Sequence, residues 1–351
     1  MKQREIFEAL TRNAFDFLKR GIAEFDGAPK YSVIHFCAAV EMLLKARLMQ
    51  EHWSLIVSRP DKANLGKFIE GDFVSVTLED TRIRLRDVAG EDIDDAAYNS
   101  FKELAKHRNK MVHFFHPQAD GDDQAREKIV AEQCRSWFHL HRLLNRWDAC
   151  FHEFMREVAK ADRAMKGHRK YLSAKFKAIK PELDAARKAG NKPKACNACG
   201  FKSAISNEVD DLISLLNCVV CDHREVQVEI ECPHCHRQIA MANGGYSRCG
   251  KCGGEIEPDA VAEALYDAGA THQAIKDGEE AWQLGNCDEC DGYETVVQRD
   301  ADLYFCASCF EIFRSVQWCE WCNTPNTGDM EHSYIAGCNH CEGKAGWERD
   351  E

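Results

Sequence analysis

The sequence predicts a mainly α-helical protein, in which an N-terminal helical bundle is followed by a helical connector and then by small β modules. Three observations support this fold class. Apolar residues recur at helical spacing through most of the first 163 residues. A basic stretch over 164–194 continues the helical pattern. Beyond residue 195, cysteines occur as Cys-x-x-Cys pairs, which are typical of small metal-bound modules.

These changes in composition set the predicted boundaries. We expect a helical domain, a basic helical connector, two zinc ribbons, a helical spacer and two further zinc ribbons. In chain order they occupy 1–163, 164–194, 195–254, 255–286 and 287–351.

Charge is distributed unevenly along the chain, whose net charge is −12. Residues 1–159 hold 24 basic and 26 acidic residues, 160–194 hold 12 and 3, and 195–351 hold 10 and 29. Affinity for phosphate comes from Lys and Arg, so the acidic C-terminal part is a poor candidate for binding nucleic acid. It is a candidate for protein recognition, or for regulation by competing with another anionic partner for the basic connector.

No run of 18 apolar residues is present, so we expect no membrane span. The first residues, MKQREIFEAL, lack the apolar core of a signal peptide. Many paired cysteines in a chain of this length indicate metal ligands in a reducing compartment. The predicted location is therefore cytoplasmic.

Two helices are predicted first, over 2–25 and about 31–51. The second is apolar nearly all round, so we expect it to be buried. Glu41 and Lys45 lie four residues apart on it and can form a simple ion pair. The alternative is that Glu41 orients an arginine of a later helix across the core.

Alternating apolar residues over 74–85 suggest a short hairpin around Glu79 and Asp80. A long helix over about 123–163 is predicted from apolar residues that recur every seven positions. The two series are Val130, Trp137, Leu144, Phe151, Val158 and Gln133, Leu140, Trp147, Phe154, Ala161. Such a seam can pack inside a bundle or join two chains, and the sequence leaves both open. The basic connector continues as helix, with a break near Pro181 and an end at Gly190.

A further helix, from about Asp94 to Pro117, carries the candidate chemistry. Arg108 lies within its apolar stripe, where a guanidinium needs an anion or a hydrogen-bond partner. His113 lies five residues on, roughly 140° around the helix. Near a helix C-terminus the dipole favours an imidazolium.

The segment Arg108-Asn109-x3-His113 resembles the Arg-x4-His motif of the HEPN superfamily of small helical ribonucleases. Two further stretches are similar to that family, and the resemblance covers about residues 1–160. These stretches are SVIHFCAAVEMLLKARL over 32–48 and Asn64-Leu65-Gly66-Lys67-Phe68-Ile69.

The resemblance implies a metal-independent endoribonuclease that cleaves RNA by attack of its own 2′-hydroxyl. Arg108 would stabilise the transition state, His113 would act as acid or base, and Asn109 would bind phosphate or position His113. The resemblance also implies a homodimer, in which two motif helices line one cleft, and a role in antiviral defence or toxin-type growth arrest. Further supporting residues would be Glu41, Lys106 and His116. Each has a plainer interpretation: a structural ion pair, a solvated lysine and a capping histidine.

The cysteine array predicts about four structural zinc ions per chain, and none for catalysis. Taken two pairs at a time, the gaps are 18, 13, 15 and 15 residues, which suit two-hairpin zinc ribbons. The sixteen predicted ligands are Cys196, Cys199, Cys218, Cys221, Cys232, Cys235, Cys249, Cys252, Cys287, Cys290, Cys306, Cys309, Cys319, Cys322, Cys338 and Cys341. Small or polar residues after the pairs suit a tight turn, at Gly200, Asp222, Gly253, Asn323 and Glu342.

Iron–sulfur clusters and pairing interleaved between neighbouring units remain alternatives for the metal sites. The nearby histidines are taken as surface residues, namely His223, His234, His236 and His340. Residues 258–285 are predicted to be a helical spacer, with Trp282 on its apolar face.

Two functions of different class follow. The first is a dimeric endoribonuclease whose zinc ribbons serve partner recognition or regulation. The alternative is a non-catalytic scaffold whose helical domain dimerises and whose ribbons recruit a protein or nucleic-acid partner.

Overall fold

The computed structural model describes residues 3–113, 123–242, 244–278 and 284–347. The chain forms two compact units, Met1–Asp184 and Ala185–Glu351. In the described residues no helix is long and apolar enough to cross a membrane.

The first unit is helical, as predicted. Its helices are α1 Gln3–Ala23, α2 Pro29–Glu51, α3 Leu65–Glu70, α4 Leu78–Asp87, α5 Asp95–His113, α6 Asp123–Arg146, α7 Asp148–Phe151, α8 Met155–Lys166 and α9 Arg169–Ala178. A tenth helix, α10 (Lys180–Lys188), follows. Short 3-10 helices cover Trp53–Ile56, Pro60–Lys62 and His152–Phe154. The basic connector is thus interrupted at Ile179, two residues before Pro181, and Gly190 ends it with a left-handed backbone (φ +95°).

Helices α1 and α2 form a tight antiparallel pair because a glycine lies between them. A Cβ placed on Gly21 would stand 3.1 Å from the backbone nitrogen of Phe36 and 3.2 Å from the carbonyl oxygen of Ser32. The Ser32 hydroxyl also donates to the Gly21 carbonyl at 2.6 Å. This contact helps to bury α2. Burial of this helix was predicted because its sequence is apolar nearly all round.

The predicted hairpin over 74–85 is wrong, because this segment forms helix α4. The Thr77 hydroxyl caps α4 by accepting from the backbone N–H of Asp80 at 3.1 Å, and it donates to the Asp80 carboxylate at 2.8 Å. That local cap outweighs the alternating pattern. Only the residues before the cap are extended, where Ser75 forms an isolated antiparallel bridge with Val57.

The long helix predicted over 123–163 is broken. Helix α6 ends at Arg146, and Trp147 has a non-helical backbone, so the next turns are short and irregular until α8 begins at Met155. The heptad residues nevertheless point inward: Val130, Trp137, Leu144, Phe151 and Val158 are all buried. Of the two alternatives, the seam packs inside the bundle.

A buried carboxylate ties α6, α8 and α9 together. Asp162 is 4% exposed and accepts from the indole of Trp137 and the hydroxyl of Tyr171, each at 3.2 Å. Lys166 pairs with it one turn on, and His141 Nδ1 lies 3.8 Å away. Burial acts to raise the pKa of Asp162, but the charge of His141 and the Lys166 and Trp137 hydrogen bonds outweigh it, so the pKa lies below its ordinary range.

The second unit contains small, mostly antiparallel sheets. Its strands are β1 Lys194–Ala195, β2 Lys202–Glu208, β3 Ile213–Cys218, β4 Arg224–Glu231, β5 Gln238–Ala242, β6 Ser247–Arg248, β7 Glu255–Ile256, β8 Gly285–Cys287, β9 Gly292–Asp300, β10 Leu303–Cys306, β11 Ile312–Phe313, β12 Gln317–Trp318 and β13 Pro325–Asn326. Its helices are α11 Pro258–Leu265, α12 Ala268–Lys276, α13 Ser333–Ala336 and α14 Gly343–Trp347.

Strands β1 to β5 form a five-stranded meander, and β6 pairs with β7. The remaining strands form a six-stranded sheet in the order β11-β10-β9-β8-β13-β12, in which β8 and β13 run parallel. The predicted spacer is helical through α11 and α12, while Trp282 lies outside the described residues. Helix α11 does more than separate ribbons, because Val261 and Leu265 are buried in one apolar cluster with Val228 and Phe305.

We expect Asp162→Asn to lower the stability of the helical unit at neutral pH by about 3 kcal/mol, because Lys166 and His141 lose their buried counter-charge. The native pKa of Asp162 is depressed, so its stabilisation is present above the unfolded pKa and is lost as the pH falls through the native value. The gap between wild type and variant should therefore close in acid. Urea unfolding followed by helical circular dichroism at several pH values measures it, with the exposed Asp16→Asn as control. A gap that is absent or independent of pH would contradict this role.

Candidate functional site

Sixteen cysteines of the second unit form four clusters of four sulfurs. The clusters are Cys196/Cys199/Cys218/Cys221, Cys232/Cys235/Cys249/Cys252, Cys287/Cys290/Cys306/Cys309 and Cys319/Cys322/Cys338/Cys341. Each cluster joins two consecutive Cys-x-x-Cys pairs, as predicted, and interleaved pairing is wrong. None of the sixteen forms a disulfide.

The clusters have the dimensions of a zinc–thiolate site. Within a cluster all ligand sulfurs lie within 4.8 Å of one another, and two of the separations between the pairs of each cluster are 3.6 Å to 3.9 Å. A tetrahedron with Zn–S bonds of about 2.3 Å has edges of about 3.8 Å. Disulfides need sulfurs about 2 Å apart. Each cluster can therefore hold one zinc ion, about four per chain, and its four thiolates leave no ligand position for water.

The backbone of each Cys-x-x-Cys turn, called a knuckle below, explains why a spacing of two residues suits a metal site. In the first pair, the N–H of Gly200 donates to the Cys196 carbonyl at 2.7 Å, and Gly200 is left-handed (φ +75°). The residue after the second cysteine is left-handed in seven of the eight pairs, at Gly200, Asp222, His236, Gly253, Asp291, Phe310 and Asn323. The expected turn at Glu342 is displaced by one residue, to Gly343.

Hydrogen bonds to sulfur favour the thiolate form that a metal requires. The Ser203 hydroxyl, fully buried, lies 3.2 Å from Cys218 Sγ, and the backbone N–H of Cys221 lies 3.4 Å from it. Burial raises the pKa of the Cys218 thiol, but these donors outweigh it and bring the pKa to about 7. In the third cluster the Thr295 hydroxyl makes the equivalent contact, with its Oγ1 3.4 Å from Cys306 Sγ.

The fourth cluster departs from the predicted two-hairpin ribbon. Its first pair lies between β12 and β13, but its second pair lies between the short helices α13 and α14. Four thiolates complete each site without help from a histidine. His234 and His236 are exposed as expected, whereas His223 and His340 are half-buried.

In the first unit, Arg108 is brought against the buried helix α2. Its guanidinium donates to Glu41 Oε1 at 2.8 Å, and both side chains are 29% exposed. Lys45 Nζ lies 3.9 Å from Glu41 Oε2 and donates to Ser75 Oγ at 3.0 Å. Both alternatives for Glu41 are therefore present, since one carboxylate faces two cations. Arg108 Nε is buried and has no hydrogen-bond partner among the described residues.

The other motif residues lie on the outside of α5. Asn109 and His113 are exposed, and His113 is the last helical residue. Lys106 is exposed and pairs with Glu103 at 2.6 Å, which fits its plainer interpretation. His116 and Pro117 lie outside the described residues. Within one chain, Arg108 thus faces inward while His113 faces solvent.

One pair near the motif was missed by sequence reasoning, and the surroundings of Lys45 were only partly predicted. His107 Nε2 lies 2.6 Å from Glu132 Oε2, which joins α5 to α6, and this hydrogen bond lowers the pKa of Glu132 against the opposing effect of burial. Lys45 was assigned only to an ion pair. Burial lowers the pKa of Lys45, with Glu41 opposing the change and Arg108 adding to it. The i, i+4 spacing of Glu41 and Lys45 was the available signal.

Two cysteines outside the clusters are poor candidates for redox chemistry. Cys37 and Cys134 are buried, and burial raises the pKa of each thiol to about 12. A thiol of that pKa is almost entirely protonated at neutral pH and is a weak nucleophile.

Comparison with known proteins finds no matching family model, no matching curated protein and no matching solved structure.

Removing one buried ligand should remove one zinc ion. We expect Cys218→Ala to bind about one ion fewer per chain than wild type, because three thiolates leave the tetrahedron open. Elemental analysis of the purified full-length chain measures it. Cys150→Ala is the control, since Cys150 belongs to none of the clusters and should not change the metal content. An unchanged zinc content in Cys218→Ala, or loss of all the zinc, would contradict four independent sites.

Proposed function

We propose that the helical unit is a HEPN-type endoribonuclease of the cytoplasm that cleaves RNA without a catalytic metal ion. The observation that carries the proposal is the half-buried group of Arg108, Glu41 and Lys45. It contains two cations and one carboxylate, so one positive charge has no counter-charge among the described residues. A partly desolvated cationic site of this kind suits a phosphate.

The ion pair with Glu41 stabilises Arg108 and would also orient its guanidinium for catalysis. Glu41 holds one terminal nitrogen of the guanidinium, which fixes the side chain while other N–H groups remain able to donate. A preorganised donor stabilises charge that develops in a transition state better than a mobile one does. Arg108 would therefore bind the phosphate and stabilise the pentacoordinate phosphorane.

His113 would supply the proton transfer. It is exposed at the C-terminal end of α5, and an imidazole can act as either base or acid in proton transfer. As base it would take the proton of the 2′-hydroxyl, whose oxygen then bonds to the adjacent phosphorus. The bond to the 5′ oxygen breaks, and that oxygen takes a proton from the same or a second imidazole. The products are a 2′,3′-cyclic phosphate and a 5′-hydroxyl.

The opposite orientations of Arg108 and His113 favour a dimer. A second copy packed on α5 would bring its His113 towards the first copy's Arg108 and complete the cleft. Val112, next to His113, is 49% exposed and offers an apolar contact for such packing. The resemblance to HEPN proteins suggests a role in antiviral defence or growth arrest.

A non-catalytic scaffold is the second candidate, and the ion pair between Arg108 and Glu41 favours it. A guanidinium that already pairs with a carboxylate satisfies the plain structural interpretation. Such a protein would dimerise in light scattering but leave RNA intact.

We expect Arg108→Ala and His113→Ala each to reduce RNA cleavage by about 100-fold or more, the usual effect of removing a transition-state donor or an acid–base group. The assay uses purified full-length protein, free of added divalent ions, with total RNA, and end-group analysis checks for the cyclic phosphate. Controls are Arg142→Ala and His152→Ala, which remove exposed side chains of the same types from other helices. Cleavage that is unchanged in either motif variant would sink the catalytic proposal.

A further inference from the structure

The fourth cysteine cluster carries an exposed aromatic surface. We call the half-buried side chain of Trp321 and the exposed side chains of Tyr334, Ile335 and Trp347 the aromatic platform. Tyr334 is 48% exposed, Ile335 62% and Trp347 64%. Side chains of this size are usually mostly buried, and a group of them in water marks an interaction site.

The platform is built on fixed backbone. Trp321 lies inside the Cys319-x-x-Cys322 knuckle and meets Tyr334 edge to face, with ring centroids 5.6 Å apart. Tyr334 and Ile335 belong to α13, and Trp347 belongs to α14.

The backbones of the residues at the ends of helices α13 and α14 are in close contact. A Cβ on Gly343 would fall 2.4 Å from the Ile335 carbonyl oxygen, and one on Gly337 would fall 2.0 Å from the Cys341 carbonyl oxygen. The four sulfurs of the cluster join this pair of helices to the Trp321 knuckle. A rigid aromatic surface loses little side-chain entropy on binding.

Uncompensated carboxylates lie close to the platform residues in the sequence. Glu320, Glu331 and Glu342 are exposed, and none forms a salt bridge within the described residues. Residues 284–347 contain 11 acidic and 3 basic residues. One of those cations, Arg299, is already held by Asp210 and Asp211, each at 2.7 Å.

We propose that the aromatic platform binds a Lys/Arg-rich segment of a partner protein that also carries an aliphatic or aromatic anchor. The carboxylates attract the cations, the aromatic rings add cation–π contacts, and Ile335 and Trp347 bury the anchor. An RNA strand could stack on the same rings, but its phosphates would meet these carboxylates, so the charge favours a basic peptide. This binding function is separate from RNA cleavage by the helical unit and does not depend on it.

The test measures fluorescence polarisation of a labelled peptide in which lysine alternates with leucine, bound to zinc-loaded full-length protein. We expect Tyr334→Ala and Trp347→Ala each to weaken binding by about tenfold or more, as removal of an aromatic anchor does. Tyr246→Ala is the matched control, because Tyr246 is 75% exposed but lies between the two cysteine pairs of the second cluster. Zinc content reports folding, and Ile335→Ser replaces either variant if its zinc content falls.

Two further comparisons separate charge from apolar contact. Glu331→Gln should weaken binding several-fold at low salt and much less at high salt, whereas the exposed Glu263→Gln on α11 should not. A peptide with serine in place of leucine should bind more weakly. Equal binding by wild type and the platform variants, equal binding of the serine peptide, or tighter binding of a labelled oligouridine would overturn the proposal.

Discussion

Zinc–thiolate coordination is the constraint on which the second unit depends. Six of its strands contain only two residues, and such strands have too few ladder hydrogen bonds to persist alone. The cysteines also occupy core positions. Cys232 and Cys249 belong to one apolar cluster, and Cys287 and Cys306 belong to the other. A metal ion joins distant turns with a free energy that short strands cannot supply, so metal binding and folding are coupled here.

The helical unit is held together differently. Large aromatic side chains such as Trp137, Trp147 and Tyr171 are fully buried, and Asp162 links three of its helices. That bundle keeps α2 and α5 in contact, and only then can Glu41 reach Arg108. The candidate catalytic group therefore depends on helix packing, whereas the aromatic platform depends on a metal.

The parts that could be predicted from the sequence are those set by local geometry. A Cys-x-x-Cys turn closes over four residues, so the spacing was enough to assign all four clusters. The hairpin over 74–85 failed because one capping hydroxyl, that of Thr77, outweighed an alternating apolar pattern. Periodicity likewise could not reveal the break at Trp147, since the heptad positions remain buried on both sides of it.

Contacts between distant segments were harder to predict. The inward arginine implied a partner, and contact with this arginine was one of the two alternatives given for Glu41. The additional roles of Lys45 and of His107 with Glu132 depend on which helices meet and at what angle. Exposure of Tyr334 and Trp347 depends on how α13 and α14 pack around the fourth cluster, which cysteine spacing does not encode.

Hydrogen exchange of the full-length protein, with and without a zinc chelator, tests most directly whether metal holds the second unit together. We expect chelation to remove amide protection from the strands of residues 195–347 while helices α1, α2 and α6 keep theirs. Re-addition of zinc should restore the protection. Strands β2 to β4 that stay protected after complete zinc removal would contradict the dependence of this unit on its metal sites.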